Sequence, residues 1–157
     1  MKLLFRQRFF SWYDSYDIYG EDGDVVYVVK GELAWGRCLK IFDASGNELG
    51  MIKQKVFSWF PTFWWHLQGS KVGKLSRVYS FPNPKYRVDF KGWDIIGNIL
   101  GMEYQILTKN KEEIAHISKQ IFKLTDTYVI DVKDPQDALC VLMSVVSIDV
   151  EKCLRKN

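Results

Sequence analysis

The chain has 157 residues, of which 47 % are apolar and 15 % aromatic, with 22 basic and 19 acidic side chains. That length fits one domain over 1–157 with a core that hides about two-thirds of the unfolded surface, and the aromatic content excludes a disordered chain. Three cysteines (Cys38, Cys140, Cys153), no CxxC and only His66 and His116 as imidazoles speak against a disulfide framework, a zinc site or a resident cofactor, and read as small buried hydrophobes in a reducing compartment.

The charge is unevenly spread. Residues 1–48 carry 6 Lys/Arg and 8 Asp/Glu, residues 49–91 carry 8 and 1, and residues 92–157 carry 8 and 10. The middle third is therefore +7 between two flanks of −2 each. Such asymmetry suits an anionic partner, although solvated strands also carry lysine merely to stay soluble.

In chain order, Leu3, Phe5 and the RFF at 8–10 read as a first strand or entry segment, with neither the apolar stretch nor the cleavage site of a signal peptide. Tyr16–Tyr19 and Val25–Val29 flank a Gly-Glu-Asp-Gly-Asp turn and form a hairpin. The acids of that turn do not make a calcium loop, because the twelfth position counted from Asp22 is Leu33. Residues 37–43 are a further strand, turned by Ala44–Asn47. A short pattern then recurs: Leu49-Gly50-Met51-Ile52, Val72-Gly73-Lys74-Leu75, Ile96-Gly97-Asn98-Ile99 and Ile114-Ala115-His116-Ile117, each preceded by a turn residue (Gly46, Gly69, Gly92, Asn110). It predicts a meander of similar hairpins whose small residue relieves crowding where a core element comes close. Pro61, within the aromatic run 57–67, marks a turn or an edge. Later segments alternate: Tyr86 and Val88 against Arg87 and Asp89, then Met102, Tyr104 and Ile106, then Tyr128, Ile130 and Val132 against Asp131.

From Pro135 to Leu154 the period changes. Apolar residues cover every side of a helix, so this helix is buried all round. Asp134 and Pro135 supply its start, and Lys152, Arg155 and Lys156 suit its end. Its apolar run, 138–148, is short of the roughly 20 residues a bilayer requires. Half-buried strands need one covered face, and this helix needs cover everywhere. The predicted fold is mainly β: a closed antiparallel barrel of about twelve strands around a central hydrophobic C-terminal helix, with Leu142 and Val146 fully enclosed.

The stretches Tyr16-Asp17-Ile18, Asp22-Gly23, Tyr27-Val28-Val29-Lys30-Gly31, Ile41-Phe42-Asp43 with Gly46, Ile117-Ser118-Lys119, Asp126-Thr127-Tyr128 and Ile148-Asp149 resemble, in order and spacing, the LURP-one-related family. The resemblance implies a tubby-like twelve-stranded barrel around a hydrophobic helix. Phospholipid scramblases are thought to share that fold, and tubby domains bind phosphoinositides through basic residues.

No GxSxG, HExxH, GxxxxGK[ST] or HxE…PCxxC pattern occurs, and no catalytic or metal-binding residue is assigned. His66 and His116 read as packing or surface histidines, and Asp149 as a buried carboxylate needing a strand amide or hydroxyl. The functional lead is the basic third: Arg77 and Arg87 as anchors for phosphate oxygens, with Lys53, Lys55, Lys71, Lys74, Lys85 and Lys91 supplying field. Trp59, Trp64 or Trp65 suit a headgroup interface where exposed. The expected function is non-enzymatic binding of anionic phospholipid headgroups, in the cytoplasm and peripheral to a membrane. The alternative is a structural or protein-interaction module without a small ligand. Nucleic acid is less favoured, since the one GxxG run, Gly20–Gly23, carries two acids.

Overall fold

The computed structural model describes residues 1–7, 15–121 and 126–156. The RFF at 8–10 lies outside them. Twelve strands are present: β1 (Lys2–Gln7), β2 (Tyr16–Tyr19), β3 (Val25–Ala34), β4 (Gly36–Asp43), β5 (Glu48–Gln54) and β6 (Thr62–Leu67), then β7 (Ser70–Val78), β8 (Lys85–Val88), β9 (Trp93–Gly97), β10 (Glu103–Leu107), β11 (Glu113–Ile121) and β12 (Asp126–Val132). Each pairs antiparallel with its neighbour in sequence, and β1 pairs with β12, so the sheet closes into a barrel with no free edge. Up-and-down order puts the β2–β3, β4–β5, β6–β7, β8–β9 and β10–β11 turns at one end. The β3–β4, β5–β6, β7–β8 and β9–β10 hairpins form the opposite rim.

The recurring small-residue pattern falls on β5, β7, β11 and the close of β9, four of the six strands that run toward the rim. Gly46, Gly69 and Gly92 in the turns before them take positive φ, which costs glycine nothing; in the fourth turn the positive φ falls on Lys111, not Asn110. The small residue itself meets a close neighbour: a Cβ at Gly50 would lie 3.0 Å from the sulfur of Met143.

A 3-10 turn over Pro135–Asp137 leads into α1 (Ala138–Lys156). The Asp134 side chain accepts from the Gln136 amide at 3.0 Å, giving the cap its position implied. The helix then threads the barrel, and every residue from Cys140 to Glu151 is buried. Leu142 and Val146 have no exposed surface. The apolar strand faces (Phe5, Ile18, Ile41, Trp65, Ile95, Ile130) complete the core around them. Polar groups on the helix are satisfied locally: Ser144 and Ser147 hydroxyls donate to the carbonyls of Cys140 and Met143, and Trp65 Nε1 donates to Ser147 Oγ at 3.2 Å. The void beside Tyr104, Val145 and Ile148 measures about 10 Å³, enough for a single water. Cys38 and Cys140 are buried free thiols. Among the described residues, no helix is long and apolar enough to cross a membrane.

Candidate functional site: a lysine–tryptophan wall on β5–β7

Strand parity sorts the eight predicted cations into three environments. On β7, Leu75 points inward and is buried, so Arg77, two residues on, also points inward. Its Nη1 donates to Glu151 Oε1 at 3.1 Å. Glu151 is completely buried near the end of the helix, where Arg155 Nε also reaches Oε1 at 2.7 Å and the Tyr86 hydroxyl donates to Oε2 at 2.9 Å. Burial, followed by the Glu151 charge, pushes the Tyr86 phenol up. Arg77 thus serves as counter-charge to a buried carboxylate. Asp149, one turn's neighbour, accepts from the Tyr128 hydroxyl at 2.8 Å, a strand hydroxyl as expected. Lys152 donates to the Gly101 carbonyl at 2.7 Å, and burial together with the nearby Lys119 charge lowers it to about 8.

A second group lies on β8 and its end. Arg87 Nε holds Asp94 Oδ1 at 2.9 Å and Lys85 lies 3.5 Å from Oδ2 of the same carboxylate. Burial raises Asp94, but the two cations outweigh it and keep its carboxyl below the ordinary range. Lys91 pairs with Asp137 at 3.3 Å and sits over the Trp93 ring. The three cations thus share two carboxylates, which leaves the group with a net charge of +1. The two arginines that sequence favoured as anchors are therefore both committed to carboxylates.

The third group is different. On the outer wall Lys53, Trp64 and Lys74 stand directly opposite one another across β5, β6 and β7, so the two lysines are about 10 Å apart with the indole between them. A register shift between Trp65 and His66 leaves Val72 as an extra residue on β7 and pairs His66 with Lys71. Strict alternation would send Lys71 inside, on the face of Gly73 and Leu75. The bulge returns it to the outer face beside Lys74. Lys71 Nζ lies 3.3 Å from the centre of the Trp64 ring and Lys74 Nζ 5.5 Å, which places two ammonium groups over one indole. Lys55, just past β5, is exposed at the upper edge of this wall. Among the described residues, no carboxylate pairs with Lys53, Lys55, Lys71 or Lys74. The nearest acid in the register, Asp89, is occupied with the backbone amides of Lys74 and Phe90. Lys40, on the β4 side, is neutralised by Glu32 and Glu48.

His66 belongs to the same wall, which sequence reasoning had not assigned. Burial, then Lys71 and Lys53, hold its imidazole below the usual histidine value. Its Nδ1 is enclosed and has no hydrogen-bond partner. An imidazole with an enclosed, unpartnered nitrogen thus sits beside two ammonium groups. Of the tryptophans considered for an interface, Trp59 is fully exposed, Trp64 is half-buried under the lysines, and Trp65 is inside the core. Among the described residues, no group of three His, Cys, Asp or Glu is placed to hold a metal ion.

The chain is 28 % identical over 148 residues to the uncharacterized protein YxjI of Bacillus subtilis (strain 168), covering 93 % of this chain and 91 % of that protein. No solved structure matches. The LURP-one-related family model matches residues 1–149, nearly all of the strand meander and most of the helix that fills it, and on that extent the chain belongs to the LURP-one-related family.

Proposed function

We propose that the protein is a non-enzymatic binding module that engages anionic phospholipid headgroups through the outer wall of β5, β6 and β7. The observation that supports this reading is the convergence of Lys53, Lys71 and Lys74 on Trp64 without a paired carboxylate among the described residues. An ammonium group is a mobile point charge that can follow a phosphate oxygen, and the indole beneath it holds it in place while unoccupied. The filled lumen directs a ligand to the outside, since the void there takes no more than one water.

The test is cosedimentation with vesicles of phosphatidylcholine alone and of phosphatidylcholine mixed with phosphatidylserine. The expected result is binding to the anionic mixture only, weakened by salt over a Debye length of about 8 Å. Replacing Lys53, Lys71 and Lys74 with Gln removes three charges at about 1 kcal/mol each, a loss of about a hundredfold. Arg87→Gln, at a guanidinium on β8 outside the wall and held by Asp94, leaves binding within about fivefold, the loss expected from one charge of about 1 kcal/mol at most. Indifference of the wild-type chain to lipid charge would overturn the proposal and favour a protein partner.

A further inference from the structure

The two ends of the barrel face the same problem, closing hairpins between adjacent strands, and solve it with opposite chemistry. At the end where the helix enters, the turns read Gly-Glu-Asp-Gly-Asp (20–24), Ala-Ser-Gly-Asn (44–47), Gln-Gly (68–69), Asp-Phe-Lys-Gly (89–92) and Thr-Lys-Asn-Lys-Glu (108–112), the polar residues that turns prefer apart from Phe90, which is 37 % exposed. At the opposite rim the tips are aromatic or aliphatic. Trp35 tips the β3–β4 turn, Phe57 and Trp59 the β5–β6 loop, Tyr79 and Phe81 the β7–β8 loop, and Ile99 and Leu100 the β9–β10 turn. These are not marginal exposures: Phe57 is 88 % exposed, Trp59 101 % and Phe81 90 %. Of the eleven large apolar side chains exposed among the described residues, nine lie on this rim. Fold stability does not require them there, and exposed apolar surface of this extent is a solubility liability unless it has a partner.

The hairpins are neighbours. A Cβ on Gly36 would lie 3.0 Å from Val56, the Arg77 amide donates to the Pro61 carbonyl, and the Gly97 amide donates to the Pro84 carbonyl. Their backbones are held from within. The Phe60 carbonyl accepts from the Ser58 and Thr62 hydroxyls, and Ser80 donates to the Asn83 carbonyl. Two loop carbonyls, Phe60 and Asn83, are thereby satisfied inside the loops while the rings are exposed, in the direction that an apolar medium favours for a backbone entering it.

We infer that this rim is a membrane-insertion surface, its aromatic tips entering the boundary between headgroups and acyl chains of an anionic bilayer. The inference rests on the proposed headgroup binding for the class of lipid and adds the orientation of the barrel and the source of its salt-resistant affinity. Charge selects the occupant. Residues 35–37, 55–61, 79–84 and 98–101 contain Arg37 and Lys55 and no acid, and Arg155 emerges at the same end. An anionic surface complements these cations. A second copy of the chain, rim to rim, would oppose like charges. Shape agrees: the tips stand on four separate hairpins, which suits a deformable interface and aromatic side chains that prefer that depth. The lysine wall starts on the stem of the same β5–β6 hairpin, so tip insertion would bring Lys55 and Lys53 to headgroup level.

The experiment compares three proteins on the phosphatidylcholine–phosphatidylserine vesicles at low and high salt: wild type, a rim variant (Phe57→Ala, Trp59→Ala, Phe81→Ala) and the Lys53→Gln, Lys71→Gln, Lys74→Gln wall variant. Thermal unfolding confirms that each is folded, as expected for changes at exposed positions. The rim variant should lose about tenfold or more in partitioning at both salt concentrations, and the wall variant chiefly at low salt. Vesicles carrying brominated acyl chains should quench wild-type tryptophan fluorescence, and Trp35→Leu with Trp59→Leu should together remove most of that quenching. Rim-variant binding equal to wild type, with no bromine quenching, overturns insertion and leaves the wall proposal standing. Loss in the rim variant with an unaffected wall variant upholds insertion and overturns the wall as the headgroup site. Absence of wild-type binding to any vesicle overturns both.

Discussion

Arg77→Gln tests whether the arginine at the mouth of the barrel is a structural counter-charge or a ligand contact. The substitution leaves Glu151, which has no exposed surface, with Arg155 and the Tyr86 hydroxyl but without its strand-borne guanidinium. Removing one partner of a fully buried pair costs about 3–5 kcal/mol. Here Arg155 remains 2.7 Å from the same oxygen and Arg77 keeps 28 % of its side chain in solvent, so a cost nearer about 2 kcal/mol follows. For a chain of this size that is a fall in Tm of about 4–8 °C. Urea unfolding at neutral pH reads it as a lower midpoint at unchanged slope. Glu151→Gln and the double variant complete a cycle, and the double variant should recover about 1 kcal/mol or more of the summed losses, since neither an orphan carboxylate nor an orphan guanidinium is then left inside. Arg77→Gln with wild-type stability, or a strictly additive cycle, would refute the assignment. Weakened vesicle binding at unchanged stability would return Arg77 to the ligand site.

Leu142→Ala removes a side chain enclosed on every side by the strands and should cost about 2–5 kcal/mol, measured by the same urea unfolding. His66 titrates below the ordinary histidine value because of burial and then Lys71 and Lys53, so the folded chain takes up its proton later than the unfolded chain does. Stability at this site is therefore unaffected above pH 6.5 and falls as pH drops below it toward the folded value, a slope that His66→Gln should abolish. The imidazole shift in a proton NMR titration should also move upward when phosphatidylserine headgroups occupy the wall, because an anion offsets the two ammonium charges.

The barrel was legible because its two periods are unambiguous. Alternation at Tyr86–Val88 and Tyr128–Val132 fixed inward faces, and the all-round apolar run 138–148 admitted only a helix enclosed by the sheet. The repeat around Gly50, Gly73, Gly97 and Ala115 named a small residue on four of the six strands running toward the rim, and the Met143 contact at Gly50 shows its use. The site was harder to read because parity changes at a bulge. Counting from Leu75 places Arg77 inside, a signal present in the sequence and outweighed by the appeal of a guanidinium. The same count places Lys71 inside too, and only the extra residue at Val72 puts it outside. Glu151 lay beyond the apolar run and drew no attention, although a carboxylate on an enclosed helix calls for a counter-charge on a facing strand. The rim escaped notice because its aromatics are scattered along the chain and meet only when the hairpins close into a ring.

The chain order of the barrel also sets an order of assembly. Eleven of the twelve strand pairings join consecutive segments and can form as each hairpin leaves the ribosome, at the modest entropy of a short loop. Two events cannot. Closure of β1 on β12 waits for residues 126–132, and the side chains of every inward face stay uncovered until 138–156 arrive to fill the lumen. During synthesis the meander is thus an open curved sheet with two unpaired edges and a bare apolar concavity, the kind of intermediate that aggregates or recruits a chaperone. The helix acts as the keystone, and a nascent chain stopped before Ala138 would have strands but nothing to close upon.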